Sequence, residues 1–322
     1  MVEMSMPRIL TPFINLQSDY GFKRAFGSIK FKKVVIRFLE AALGNDIMIT
    51  DVRFHDKEKL PAGSDGKRIV YDVYFTMEVP SGNSSMKPRN LHKGIRHNDV
   101  THHFILEMQN LYEPPFEDRM LYYASKTIAE QGKSGWNYDL DPVVLITIMD
   151  FDFPHLTKRL VQDFQVMERM TGEILTKKLK FLFYSLKQVP ESWEDCSDDL
   201  QRQLYLIKNM DKLDKNSQPY IEGNYGELFE AAESNLLAGE EVVLYSNSLA
   251  RMQAIQSGME YQYEEGRAEG RAEGRAEGRA EGRAEGRAEE KLQIARNMLS
   301  DGLEPARVAS YTGLSIEDLS KL

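Results

Sequence analysis

The spacing of apolar and polar positions predicts alternating helices and strands over the first half of the chain. Apolar side chains recur at helical spacing over residues 19–43, and Gly44 ends this pattern. Three later segments alternate with the two-residue period of strands, and a continuous apolar run at 142–149 is typical of a strand buried on both faces. The predicted order is therefore a helix (19–43), three strands (47–55, 68–79 and 102–109), a helix (116–131) and a strand (142–149).

The pattern after residue 150 predicts two more strands and then helices. Strand-forming residues are frequent in two segments that are expected to extend the sheet, and helical spacing follows them. In chain order these elements are two strands (159–168 and 175–186) and three helical segments (191–212, 228–237 and 239–265). We therefore assign residues 1–238 to one α/β domain and residues 239–265 to a helical connector.

Residues 266–289 consist of six consecutive Gly-Arg-Ala-Glu units. A four-residue period overshoots the helical turn of about 3.6 residues by about 40° per unit, so the glycines wind around a helix and form no fixed packing face. Like charges stand four residues apart, where they repel, and each glycine costs about 1 kcal/mol relative to alanine. We interpret the repeat as a solvated, neutral spacer that is helical because helices flank it. A dedicated binding role is the alternative.

Residues 290–322 contain three helical segments separated by Gly302 and Gly313, and Ser315 is placed to cap the last one. This spacing resembles a small helix-turn-helix. The last two segments carry few basic residues, whereas a helix that lies in a groove of DNA is usually more basic. Two interpretations stay open: DNA binding, and a helical module that joins copies of the chain into a homo-oligomer or binds another partner. The acidic character favours the second.

The composition indicates a cytoplasmic protein without a membrane-spanning segment. The longest apolar run, Val143–Met149, is far too short to cross a bilayer, and the N-terminus lacks the apolar core of a signal peptide. Cys196 is the only cysteine, which excludes an intrachain disulfide and a cysteine-rich zinc site. Any bound metal is therefore expected on oxygen ligands.

The formal charge of −9 is unevenly distributed along the chain. Residues 1–150 carry 19 basic and 19 acidic side chains, so the whole deficit lies in residues 151–322. A partner that carries phosphates is therefore expected to contact the N-terminal half.

A basic segment, residues 81–98, separates the second and third predicted strands. It contains Lys87, Arg89, Lys93 and Arg96 and no acidic residue. A loop that joins these two strands would place four positive charges along a DNA backbone. An ordinary surface insertion has the same composition and is the alternative.

Two predicted strands each carry one carboxylate among apolar neighbours. Asp72 lies on the face of its strand opposite Tyr71 and Val73, while Glu107 and Gln109 share one face of the next strand. An unpaired carboxylate is costly to bury, and two of them on neighbouring strands form an oxygen site that suits Mg²⁺. Either carboxylate alone is typical of a solvated sheet face, whereas the pair favours a site.

These residues resemble those of the PD-(D/E)xK nuclease superfamily, in particular its branch of recombination-promoting nucleases (Rpn) and transposases. The resemblance covers about residues 10–215. The matching pieces are residues 19–27 (DYGFKRAFG), 71–73 (YDV), 106–109 (LEMQ), and Arg119 with Tyr123. The resemblance implies a restriction-endonuclease-like core, α-β-β-β-α-β with a mixed sheet flanked by helices, followed by a long helical C-terminal extension.

The resemblance also implies the ligands of a catalytic metal. Asp72 and Glu107 would bind a divalent cation, expected to be Mg²⁺, with the main-chain carbonyl of Met108 as a third ligand. The implied activity is hydrolysis of phosphodiester bonds by a DNA endonuclease associated with recombination or mobile DNA. The alternative is a DNA-binding or scaffold protein that retains the nuclease fold with weak or no catalysis.

Gln109 stands where the superfamily usually has a catalytic lysine. A neutral amide supplies hydrogen bonds but no charge to stabilise the phosphate, so catalysis is expected to depend on other cations. Lys23, four residues after Asp19 on the first helix, is our candidate for the missing charge. An ordinary ion pair within that helix is an equally good interpretation of Lys23 and Asp19.

Overall fold

The structure is a computed structural model that describes residues 9, 11–44, 49, 51–55, 58–59, 69–79, 100–132 and 137–322. These residues belong to two compact units, Met1–Gln253 and Ala254–Leu322. In chain order the helices and strands are α1 (Asp19–Phe26), α2 (Lys32–Leu43), β1 (Arg53–Phe54), β2 (Glu58–Lys59), β3 (Ile69–Val70), β4 (Val73–Val79), β5 (Val100–Gln109), α3 (Phe116–Ala129), β6 (Val143–Met149), β7 (Val161–Met167), β8 (Ile174–Ser185), α4 (Asp199–Asn209), α5 (Gln218–Ile221), α6 (Gly226–Ala232), α7 (Glu240–Ser300), α8 (Pro305–Thr312) and α9 (Ile316–Leu319).

The helix predicted over residues 19–43 is divided into α1 and α2. Ser18 caps α1, because its Oγ accepts the main-chain N–H of Gly21 at 3.1 Å. Gly27 ends α1, and Ser28 begins a short 3-10 turn in which its Oγ accepts a main-chain N–H at 3.3 Å. Glycine and serine both have low preference for helix interiors, which explains the interruption at this point.

Six strands form one mixed sheet in the order β1-β4-β5-β6-β8-β7. The pairs β5–β6 and β6–β8 are parallel, and the other three pairs are antiparallel. α3 connects β5 to β6, and β6 is buried along its whole length, as its continuous apolar run predicts. β2 and β3 form a separate antiparallel pair. The predicted α/β fold with a mixed sheet flanked by helices is confirmed.

The sheet lies between two apolar layers. On one face it is covered by α1, α2, α4 and α6, toward which Leu106 and Met108 of β5 point. On the other face α3 packs on Ile105 of the same strand. Because neighbours along a strand alternate between faces, Glu107 and Gln109 belong to the α3 side, which agrees with the predicted face that they share.

The strand predicted over residues 68–79 is interrupted at Tyr71 and Asp72. The alternation of faces is interrupted as well, because Tyr71 packs with Tyr74 in the α3 layer while Val73 packs in the opposite layer. The prediction that Tyr71 and Val73 share one face is therefore wrong. Hydrogen bonds between Asp72 and β5 replace the regular pairing at this point.

The first turns of α7 belong to the first compact unit. Tyr245 is buried, and its hydroxyl accepts the main-chain N–H of Asn15 at 2.9 Å. One turn later Ser248 Oγ accepts the main-chain N–H of Tyr20 at 2.9 Å. The first compact unit includes α7 as far as Gln253, whereas the pattern of helices and strands assigned residues 1–238 to the α/β domain.

The second compact unit contains the rest of α7 with α8 and α9. A small core holds its C-terminal part together and consists of Ala295, Val308 and Leu319. Gly313 ends α8 in the left-handed conformation at φ 71°, and Ser315 Oγ then accepts a main-chain N–H in the first turn of α9 at 3.0 Å. Three helical segments with these two caps agree with the pattern of the sequence.

The tetrapeptide repeat at residues 266–289 is helical throughout, and its side chains are exposed. Within the ranges that the structure describes, no helix is long and apolar enough to cross a membrane.

Candidate functional site

Asp72 and Glu107 lie side by side where β4 begins next to β5. The antiparallel pairing of Val73 with Leu106 sets this position, because Asp72 directly precedes Val73 and Glu107 directly follows Leu106. The main-chain N–H of Asp72 donates to Glu107 Oε1 at 3.1 Å, and the N–H of Met108 donates to Asp72 Oδ2 at 2.9 Å. The main chain of each strand thus orients the carboxylate of the other.

Burial raises the pKa of both carboxyl groups. Glu107 is 6% exposed, and burial, followed by the charge of Asp72, raises its pKa well above the usual range. Burial also raises the pKa of Asp72, although the nearby charge of Lys23 acts in the opposite direction. The folded protein therefore favours a proton or a metal cation on this pair.

Lys23 places a positive charge at the pair. Its Nζ lies 3.4 Å from Asp72 Oδ1 and also forms an ion pair with Asp19. Burial lowers the pKa of Lys23, but the hydrogen bond with Asp19 and the charge of Asp72 outweigh this effect, so the pKa is raised overall. Lys23 thus makes both contacts that the sequence left open, one within α1 and one with the carboxylate pair.

Asn110 joins the end of β5 to the segment that precedes α1. Its Nδ2 donates to the main-chain carbonyl of Gln17 at 2.9 Å, one residue before the cap Ser18. This bond fixes the helix that carries Lys23 against the strand that carries Glu107. Asn110 was not predicted from the sequence, because its role depends on a contact between distant parts of the chain.

Arg119 of α3, which was not predicted to belong to the site, contacts the predicted site residue Gln109. Arg119 Nη2 donates to Gln109 Oε1 at 2.6 Å. The guanidinium charge also opposes the rise in the pKa of Glu107 that burial causes. The sequence pointed to Arg119 only as one of the residues that carry the family resemblance. Its contact with Gln109 depends on how α3 packs on β5.

The donor set of the site fits a hard divalent cation such as Mg²⁺. In the part of the chain that the structure describes, no group of three or more His, Cys, Asp or Glu side chains could hold a metal ion. A cation at Asp72 and Glu107 would therefore take its other ligands from main-chain oxygens, water and substrate, which Mg²⁺ accepts because it usually keeps several waters. A closed zinc site of four protein ligands does not fit. The carbonyl of Met108 as a ligand stays a prediction.

The predicted DNA contacts Lys87, Arg89, Lys93 and Arg96 lie outside the described residues. Their segment connects β4 to β5, the two strands at which the carboxylates meet. DNA contact by these four residues stays a prediction.

Comparison with known proteins gives two family matches. A family model described as PD-(D/E)XK nuclease family transposase matches residues 16–81 and 95–262, which is more than half of the chain. A second, described as Rpn/YhgA-like nuclease family, C-terminal HTH domain, matches residues 288–322. No curated protein and no solved structure matches the chain. The first match contains the carboxylate pair with Lys23, Gln109 and Arg119.

Proposed function

The chain belongs to the PD-(D/E)XK nuclease family transposases, and from this premise we propose that it is an Mg²⁺-dependent DNA endonuclease that hydrolyses phosphodiester bonds. The observation that carries the proposal is the pair of Asp72 and the buried Glu107, in which each carboxylate accepts a main-chain N–H from the opposite strand. The family description supports a further proposal, an association with recombination or mobile DNA.

Each residue of the site has a role in this proposal. Asp72 and Glu107 would hold the metal through carboxylate oxygens that the main chain orients. When bound, Mg²⁺ lowers the pKa of a coordinated water and polarises the phosphate. Lys23 adds a positive charge 3.4 Å from Asp72 Oδ1, and the ion pair with Asp19 keeps this amine protonated.

The C-terminal unit, residues 288–322, is our second proposed DNA contact, because it matches an HTH domain. Arg307 of α8 and Lys321 after α9 are its basic residues in the last two helical segments, against several acidic ones. We therefore propose that this unit contributes modest DNA affinity, while cleavage belongs to the first unit. Assembly of a homo-oligomer through the C-terminal extension stays a hypothesis.

The test is a nicking assay on supercoiled plasmid with the full chain. We expect nicking in Mg²⁺ and none in EDTA, and we expect Asp72→Asn to lower the rate by about 100-fold or more, because loss of a metal ligand removes several kcal/mol of transition-state stabilisation. Asp139→Asn is the matched control, since Asp139 is an exposed carboxylate outside the site. Comparing the cleavage rates of a labelled linear DNA and a labelled RNA of equal length shows whether DNA is preferred.

One observation favours a second candidate function. Gln109 carries no charge, which is compatible with a DNA-binding or scaffold protein that retains the fold without catalysis. Absence of metal-dependent nicking in folded wild-type protein, together with retained DNA binding, would support this alternative and reject the endonuclease.

A further inference from the structure

Arg119 is held beside the carboxylate pair by one hydrogen bond and by aromatic packing. Its Nη2 donates to Gln109 Oε1 at 2.6 Å, and the guanidinium carbon lies 5.8 Å from the ring centre of the buried Phe116. Among the residues that the structure describes, the guanidinium makes no other side-chain hydrogen bond. Most of its N–H donors are therefore available to a ligand.

Among the described residues no carboxylate forms a direct ion pair with Arg119, although its charge acts on the nearby Glu107. Over the described ranges Arg119 forms no ion pair, whereas Lys23 contacts both Asp19 and Asp72. A partly buried charge without a direct ion-pair partner is costly. The arrangement therefore favours an anionic ligand at this guanidinium.

Gln109 suits the task of holding this side chain. Its amide oxygen accepts one N–H of the guanidinium, yet the amide adds no negative charge that would neutralise it. A carboxylate at this position would form an ion pair with Arg119, and a lysine would repel it. Compared with glutamate or lysine, the neutral amide of Gln109 orients the Arg119 guanidinium and leaves its positive charge for a ligand.

We propose that Arg119 binds the phosphate that is cleaved and that Gln109 is its positioning residue. The inference rests on the proposed function. The planar guanidinium matches two non-bridging oxygens of a phosphodiester. In the reaction the water oxygen bonds to phosphorus and loses a proton to solvent, the bond from phosphorus to the leaving oxygen breaks, and the leaving oxygen takes up a proton from solvent. Arg119 stabilises the charge that grows on the non-bridging oxygens during this step.

The first test removes the charge of Arg119. We expect Arg119→Gln to lower kcat about 100-fold, the usual effect of losing one transition-state donor, while the melting temperature stays equal or rises. Arg119→Lys should recover part of the loss, because it restores the charge without the planar fork. Lys126→Gln is the matched control, since Lys126 lies on the same helix and pairs with Glu130 at 3.6 Å.

The second test separates positioning from a merely structural role. Gln109→Glu keeps the size and the acceptor of Gln109 but neutralises Arg119, so a structural role predicts full activity and an equal or higher melting temperature. We expect kcat to fall about tenfold or more at saturating Mg²⁺. The double variant Gln109→Lys with Arg119→Gln moves the cation to the strand and should regain activity relative to Arg119→Gln alone.

The third test measures DNA affinity in EDTA, independently of cleavage. Loss of one phosphate contact in Arg119→Gln should weaken binding of a short duplex and reduce the slope of log affinity against log salt by about 1. Wild-type cleavage rate and wild-type salt slope in Arg119→Gln would overturn the inference. If wild-type protein does not cleave DNA at all, the proposed function fails, and the salt slope alone decides whether Arg119 is a phosphate ligand.

Discussion

Asp72 and Glu107 stand close together at a cost to the stability of the metal-free fold. Folding raises the pKa of Glu107 from its usual 4.5, so the folded chain holds a proton at pH values at which the unfolded chain has lost it. Between these two pKa values the unfolded state binds fewer protons, and the free energy of unfolding falls as the pH rises. A cation at the pair would offset this cost, as is usual for sites that trade stability for function.

Replacing Glu107 should therefore stabilise the metal-free protein. We expect Glu107→Gln to raise the melting temperature at neutral pH in EDTA by roughly 2–8 °C, equivalent to about 1–2 kcal/mol in a domain of this size. The gain should disappear near pH 4, where Glu107 of the wild-type protein is protonated as well. Thermal unfolding between pH 4 and pH 8 measures both effects.

Glu113→Gln controls for the general loss of a negative charge, because Glu113 is exposed. Addition of Mg²⁺ should raise the melting temperature of the wild-type protein and have little effect on Glu107→Gln. A lower melting temperature of Glu107→Gln in EDTA at neutral pH would contradict this account of the pair.

At the scale of elements, α7 combines two kinds of helix. Its first turns are held by contacts with α1 and with the preceding segment, whereas its repeat at residues 266–289 is exposed on all sides. Apart from the neighbouring residues and backbone of its own helix, a Cβ added at Gly274 or Gly278 would meet no atom within 4 Å, so packing does not require glycine there. The glycines therefore only weaken the helix, through the greater freedom of the unfolded backbone.

Alanine in the repeat should strengthen the helix. We expect Gly274→Ala and Gly278→Ala each to stabilise it locally by about 0.5–1 kcal/mol, which slows amide hydrogen exchange across the repeat roughly two- to fivefold per substitution. Ala276→Gly should act in the opposite direction and is the matched control. Unchanged exchange in all three variants would show that the repeat is not a helix in solution.

At the scale of the whole molecule, the first turns of α7 complete the first unit. Tyr245 is 3% exposed, and Glu241 forms an ion pair with Arg24 of α1 and accepts a hydrogen bond from the Tyr20 hydroxyl. α1 is also the helix that carries Lys23 to the carboxylate pair. The start of α7 therefore supports the site although it lies more than 200 residues after α1 in the chain.

Two truncated chains test whether the first turns of α7 stabilise the first unit or only connect it to the rest of the chain. A chain that ends at Gln253 should melt near the temperature of the same unit in the full protein, whereas a chain that ends at Ala238 should lose about 3 kcal/mol or more, the usual cost of removing a buried aromatic side chain. Tyr245→Ala in the full chain is the point control and should shift stability in the same direction. Equal melting temperatures of the two truncated chains would contradict the role of α7.

The local sequence pattern was sufficient to predict several strands and the position of the two carboxylates. Two-residue alternation along β5 placed Glu107 and Gln109 on one face, a continuous apolar run marked the buried strand β6, and the spacing of carboxylates on two strands indicated the site. These features depend on residues that are close together along one strand or helix, where backbone geometry fixes which side chains share a face.

The remaining features of the fold and of the site depend on contacts between distant segments. The interruption at Tyr71 and Asp72 depends on main-chain groups of β5, the partner of Gln109 depends on how α3 packs, and the extent of the first unit depends on Tyr245. In each case the deciding contact joins segments that no local period relates, and the free energy of burial across the sheet selects it. The sequence therefore indicated the two carboxylates, and the fold brought Lys23 and Arg119 to them.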